Sequence, residues 1–100
     1  MRVDWDPAKA ESNFHKHGVP FKLAERAFSS RIVQWRDRRR DYGEERWCGS
    51  ADIDGRIHIV VFTILGIDHV RLISARKANA REKRAHRSET DTPQAPDGVS

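Results

Sequence analysis

The stretch DGRIHIVVFTILGIDHVRLI, residues 54–73, decides the fold. Asp54-Gly55 opens it with the strongest turn signal in the chain, because both residue types tolerate the positive φ of a tight hairpin. His58 to Phe62 follows as a run apolar on both faces, which predicts a central strand covered to some degree on each side. Leu65 to Asp68 makes the next turn, and Val70-Arg71-Leu72-Ile73 returns as the last strand. Upstream, a period of two runs through Ile32, Val33 and Trp35, and an extended pattern resumes from Glu44 to Gly49 after the charged connection Arg36 to Asp41. Four sequential strands joined by short turns predict a curved antiparallel meander.

Helices flank this sheet. Val3 and Trp5 alternate with charged residues in a short opening strand, after which Asp6-Pro7 supplies a helix cap and a first-turn proline. A helix is predicted from Pro7 to His17, ended by Gly18, and a second from Pro20 or Phe21 with Phe21, Ala24 and Phe28 facing the core and Ser29-Ser30 ending it. A final basic helix is predicted from Arg76 to Arg87. The fold class is therefore α+β, a single domain over residues 1–87, with residues 88–100 as a mobile tail poor in apolar material.

The 100 residues carry 19 Lys and Arg against 15 Asp and Glu, a net +4, and the excess is uneven. Arg76, Lys77, Arg81, Lys83, Arg84 and Arg87 face only Glu82 in their stretch, while the end of the chain is acidic. Such a field attracts phosphates or an acidic protein partner. Cys48 is the sole cysteine, so an internal disulfide is impossible and the residue reads as a buried thiol beside Trp47. The start MRVDWDPAKA lacks the apolar run of a signal peptide, and no segment approaches the length of a membrane span, so the cytoplasm is the expected compartment and no membrane partner is expected.

His15 and His17 lie two apart on a predicted helix, and His58, His69 and His86 fall on different elements, so no metal site is expected. Phosphate-cradling glycine motifs are absent, and no cofactor is expected. Metal-free RNA cleavage needs a base for the 2′-hydroxyl, a cation for the phosphorane and an acid for the 5′-oxygen. The meander sets Glu44, Glu45 and Arg46 on one strand, Arg56 and His58 on its partner, and Arg71 on the next, leading to Arg76 at the start of the basic helix. Glu45 either works in catalysis or pairs with Arg56 across the strands. His17 and His58 are candidates for proton transfer, with helix capping the alternative for His17. Arg38, Arg39, Lys77, Arg81, Lys83 and Arg84 are candidate RNA contacts. Trp5, Trp35 and Trp47 are expected as core anchors, an exposed ring being able to stack on a base.

WDPAKAESNFHKHGVPF at 5–21, Glu44-Glu45-Arg46, Gly55-Arg56 before IVVFT at 59–63, and VRLISARKANAREKR at 70–84 together resemble the BrnT family of bacterial toxins over residues 1–87. The resemblance implies a RelE-like fold and a ribonuclease that blocks translation. It also implies neutralisation by a BrnA-like ribbon-helix-helix antitoxin that binds promoter DNA, with a heterotetramer of two toxins and two antitoxins as the expected assembly. Glu45, Arg46, Arg56, Arg71 and Arg76 occupy the motif positions expected to carry catalysis. A non-catalytic nucleic-acid-binding module, or a structural adaptor for a DNA-binding partner, is the alternative the residues leave open.

Overall fold

Asp54 and Gly55 do turn the chain, with φ of 52° and 85°. The hairpin joins β3 (Trp47–Ile53) to β4 (Arg56–Gly66), and a second turn leads to β5 (His69–Lys77). The computed structural model describes residues 1–39 and 43–91. Before the meander come β1 (Arg2–Trp5), α1 (Pro7–His17), α2 (Phe21–Ala24) continued by a 3-10 turn at Glu25–Ser29, and β2 (Val33–Arg36); α3 (Ala80–Asp91) follows it. The five strands form one sheet in the order β1-β5-β4-β3-β2. β2 to β5 are antiparallel neighbours, whereas β1 runs parallel to β5. Alternation in the sequence announces a strand but not its partner, so the mixed character of the sheet was not visible there.

The first helix behaves as its signals dictate. Asp6 Oδ1 accepts from the Ala8 N–H at 2.9 Å, and Gly18 ends the helix with φ 71°. α1, α2 and the 3-10 turn cover one face of the sheet, where Val19, Phe21, Ala24 and Ala27 pack against Val60, Phe62 and Leu72. Ile57, Ile59 and Val61 of β4 face the other way, and α3 lies on that second side, tied to β3 by a 2.6 Å hydrogen bond between Ser50 and His86. β4 is thus covered on both faces, as its unbroken apolar run predicts.

Three boundaries differ from expectation. Glu44, Glu45 and Arg46 are not in a strand: three successive charges offer no face to bury, and the strand begins at Trp47 and continues to Ile53. Arg76 is not at a helix start but on β5, opposite Ile59, and α3 begins four residues later. Asn79 sets that start through a reciprocal cap: Glu82 N–H donates to Asn79 Oδ1 at 2.8 Å, and Asn79 N–H donates to Glu82 Oε1 at 2.9 Å. α3 also passes Arg87, and the Thr90 carbonyl accepts from Arg31 at 3.0 Å. The rest of the expected tail, 92–100, lies outside the described residues, as do Arg40 and Asp41 of the charged connection.

A buried amide joins helix to sheet. The β1 ladder on β5 ends at Leu72, and beyond it Asn13 of α1 takes up the strand's polar groups. Its Nδ2 donates to the Ala75 carbonyl at 2.8 Å, and the Ala75 N–H donates to its Oδ1 at 3.1 Å. We expect Asn13→Ala to lower unfolding free energy by about 2–4 kcal/mol, because two backbone groups lose their partners in a buried place. Urea denaturation measures it, and a loss below about 0.5 kcal/mol would mean that water replaces the amide.

Candidate nucleic-acid interface

Asn13 also positions the site. His17 stands one turn further along the same face of α1, so the amide lock on Ala75 brings the imidazole toward Arg76. Both line an open cleft of about 720 Å³, together with Arg36, Arg38 and Arg39 from the end of β2 and its following loop. Ile59, Val61, Cys48 and Ser74 line it as well.

Two of these arginines are held by carboxylates through paired hydrogen bonds. Glu82 accepts from both terminal nitrogens of Arg76 at 2.7 Å, and Glu82 is itself oriented by the Asn79 cap. Asp37, whose side chain is buried, accepts from Nε and a terminal nitrogen of Arg39 at 2.8 Å each. A guanidinium has five N–H donors and a bidentate pair consumes two, so Glu82 fixes the Arg76 fork and still leaves donors for a phosphate. The pair holds the Glu82 carboxyl below its ordinary range and raises the Arg76 guanidinium further, so both stay charged.

His17 is shifted the other way. Burial first, then the charges of Lys16 and Arg76, push its imidazole below the ordinary histidine value. A helix C-terminus alone would favour the imidazolium. Here desolvation and neighbouring cations win and favour the neutral ring, the form that can accept a proton. Burial raises the Cys48 thiol, as expected of a structural cysteine.

The remaining candidates are dispersed. Arg71 and Arg76 are five apart and would face opposite sides of a regular strand. A bulge in β5 pairs Arg71 with Thr63 and Arg76 with Ile59, which are four apart on β4 and share a face. The two arginines therefore stand on the same side, roughly 13 Å apart along the strand. Arg71 lies in a separate depression of about 480 Å³ with Lys9 and Glu44. Its Nε donates to Asp4 at 2.8 Å, and His69 meets the other Asp4 oxygen at 2.6 Å. Arg71 and then His69 hold the Asp4 carboxyl below its usual range.

Glu45 reaches Arg36 at 3.6 Å, and its carbonyl accepts from the Thr63 hydroxyl at 2.9 Å. Arg46 lies 3.5 Å from Glu44. The expected pair of Glu45 with Arg56 does not form, because Arg56 pairs with Ile53 at the far end of β3, about 20 Å along the strand. His58 is buried on the sheet face covered by α1 and α2, its Nδ1 2.9 Å from the Arg56 carbonyl, and Lys77 is its neighbour on β5. Neither shares the face of Arg76. Arg81, Lys83 and Arg84 lie on α3.

Sequence reasoning missed Asn13, Asp37 and Glu82. Only Glu82 carried a local signal, since Asn79-Ala80-Arg81-Glu82 has the spacing of a capping box. Among the described residues, no group of three or more His, Cys, Asp or Glu side chains could hold a metal ion, and no helix is long and apolar enough to cross a membrane.

A small α+β domain with an open, arginine-lined cleft and a histidine at its wall has the make-up of a phosphate-binding protein. Residues 5–82 match the family model of BrnT, the ribonuclease toxin of a type II toxin-antitoxin system, and the chain belongs to that family. It is similar to the crystal structure of the Brucella abortus ribonuclease toxin BrnT, with 26% identity and a TM-score of 0.58 over 79% of this chain and 97% of that one. No curated protein matches the chain. Membership makes it a ribonuclease toxin with an antitoxin partner, and the α+β class expected from the sequence is the one observed.

Proposed function

We propose that the chain is a single-domain cytoplasmic endoribonuclease that cuts RNA in the cleft between α1, β5 and the loop after β2, without a metal, and so blocks translation. The observation that carries this reading is the placement of His17 and Arg76 on the walls of one cleft with Arg38 and Arg39. His17 takes the proton of a 2′-hydroxyl, the 2′-oxygen attacks phosphorus, and Arg76 and Arg39 hold the charge gathering on the phosphorane. The 5′-oxygen leaves with a proton from solvent, to which the cleft is open. Cleavage of a defined RNA by purified, antitoxin-free protein tests the reading. Activity persisting in EDTA and a 2′,3′-cyclic phosphate product are expected; activity abolished by EDTA and restored by magnesium would overturn the metal-free step.

Arg71, Glu45 and Arg46 belong in this scheme to the path of the RNA on either side of the cut, since they lie outside the cleft that holds His17. Neutralisation comes from a BrnA-like ribbon-helix-helix antitoxin, in an assembly of two toxins and two antitoxins that reaches promoter DNA through the antitoxin. The basic residues of α3 provide general attraction for RNA. Neutralising Lys83 and Arg84 together is expected to weaken RNA binding and to reduce the slope of log affinity against log salt by about 0.7 per cation. An unchanged slope in a salt titration would place the electrostatic surface elsewhere.

A further inference from the structure

The basic cleft has an apolar annex. Trp35, Ile59 and Glu82 line both the cleft and an adjoining pocket of about 340 Å³ between β2 and α3, walled further by Val33 and Ala85. Three tryptophans were expected in the core, and two are packed against it. Trp5 stands edge-on to Phe21, and Trp47 lies against the guanidinium of Arg36 at 5.7 Å. Trp35 is instead 42% exposed on edge strand β2. It stands where Arg38, Arg39 and Arg76 gather. An aromatic surface beside clustered cations suits an unpaired nucleotide, whose phosphate needs the charge and whose base needs a flat apolar partner.

Resting on the cleft reading above, we infer that the pocket beside Trp35 receives a nucleobase of single-stranded RNA, next to the phosphate held by Arg76, and that Trp35 stacks on it. The pocket is at the small end of the range for ligand sites, in keeping with one base. Glu89 of α3 is on its wall and exposed, placed to accept a hydrogen bond from an exocyclic amine of the base. Glu82, already engaged by Arg76, links the base pocket to the phosphate site. Bases inside a duplex are stacked on their neighbours and cannot enter, so the substrate class is unpaired RNA.

The test uses the full chain and a short 2′-fluoro single strand, which cannot be cut through its 2′-oxygen, alongside the same strand with abasic sugars. Trp35→Ala is expected to weaken binding of the intact strand roughly 5- to 100-fold and Trp35→Phe to recover most of it, while the abasic strand binds all three proteins alike. Equal affinity of the original protein and Trp35→Ala for the intact strand would overturn the inference. In that event, weaker binding by Arg76→Ala and Arg38→Ala would keep the cleft reading, and unchanged binding by both would remove it too. Loss of antitoxin co-purification by Trp35→Ala with RNA affinity intact would reassign the pocket to the antitoxin and overturn the base site. Quenching of tryptophan emission by the intact strand, present in the original protein and absent from Trp35→Phe, gives a readout that does not depend on the Ala variant folding.

Discussion

Arg76→Ala is expected to slow RNA cleavage by about 30- to 1000-fold while the protein remains folded and still binds its antitoxin, the effect of losing roughly 2–4 kcal/mol of transition-state stabilisation. The pairing with Glu82 explains why the loss should fall on rate. A guanidinium held by two hydrogen bonds at 2.7 Å is already oriented before RNA arrives, so little ordering remains when charge builds on the phosphorane. Arg76→Lys keeps a charge but cannot form the two-pronged pair with Glu82, and its rate should fall between the two. The Arg76 side chain is 39% exposed, so its ion pair contributes only modestly to stability and the Ala variant should melt within several degrees of the original. Cleavage of a defined RNA, read beside a thermal melt, checks both halves. Equal rates for Arg and Ala at this position would move the search to Arg71 in its separate depression, since Arg56 lies at the remote end of the β3–β4 hairpin.

The meander was legible because Asp54-Gly55 and the apolar run of β4 are local signals, each with one physical meaning. The site was legible as a set of residue types but not as a constellation. Nothing in the spacing of Arg71 and Arg76 reveals the bulge that turns them to one face, and nothing in Asn13, a lone amide on a helix, reveals the strand edge it completes 62 residues away. Arg56 and His58 looked like neighbours of Glu45 because the strand was read from Glu44; starting it at Trp47 and ending it at Ile53 sends them to the opposite end of the ladder. His86 reads as one more polar residue of a basic helix, yet it is the buried contact that seats α3 on the sheet through Ser50. Long-range partners decide each of these cases, and periodicity along the chain carries no information about them.

His17→Ala is expected to reduce cleavage by about 10²- to 10⁴-fold, the range for removal of a general base, with the pH profile identifying the role. The sign follows from the surroundings of the imidazole. Burial, Lys16 and Arg76 all disfavour its charged form, so its pKa in the folded chain is below 6.5 and the neutral base is the major species at pH 7. Cleavage should therefore be flat through neutrality and fall tenfold per pH unit only once acid protonates the ring below that depressed value. Arg76→Ala removes one of the three causes, so the NMR titration midpoint of His17 should rise in that variant, even though its cleavage is slow. A structural cap would lose stability on replacement without moving the acid limb, whereas a base loses rate and takes the limb with it. Retention of the acid limb in His17→Ala, or a His17 midpoint above 6.5 in the unaltered protein, would assign the proton transfer to another group and leave Arg76 as a phosphate clamp alone.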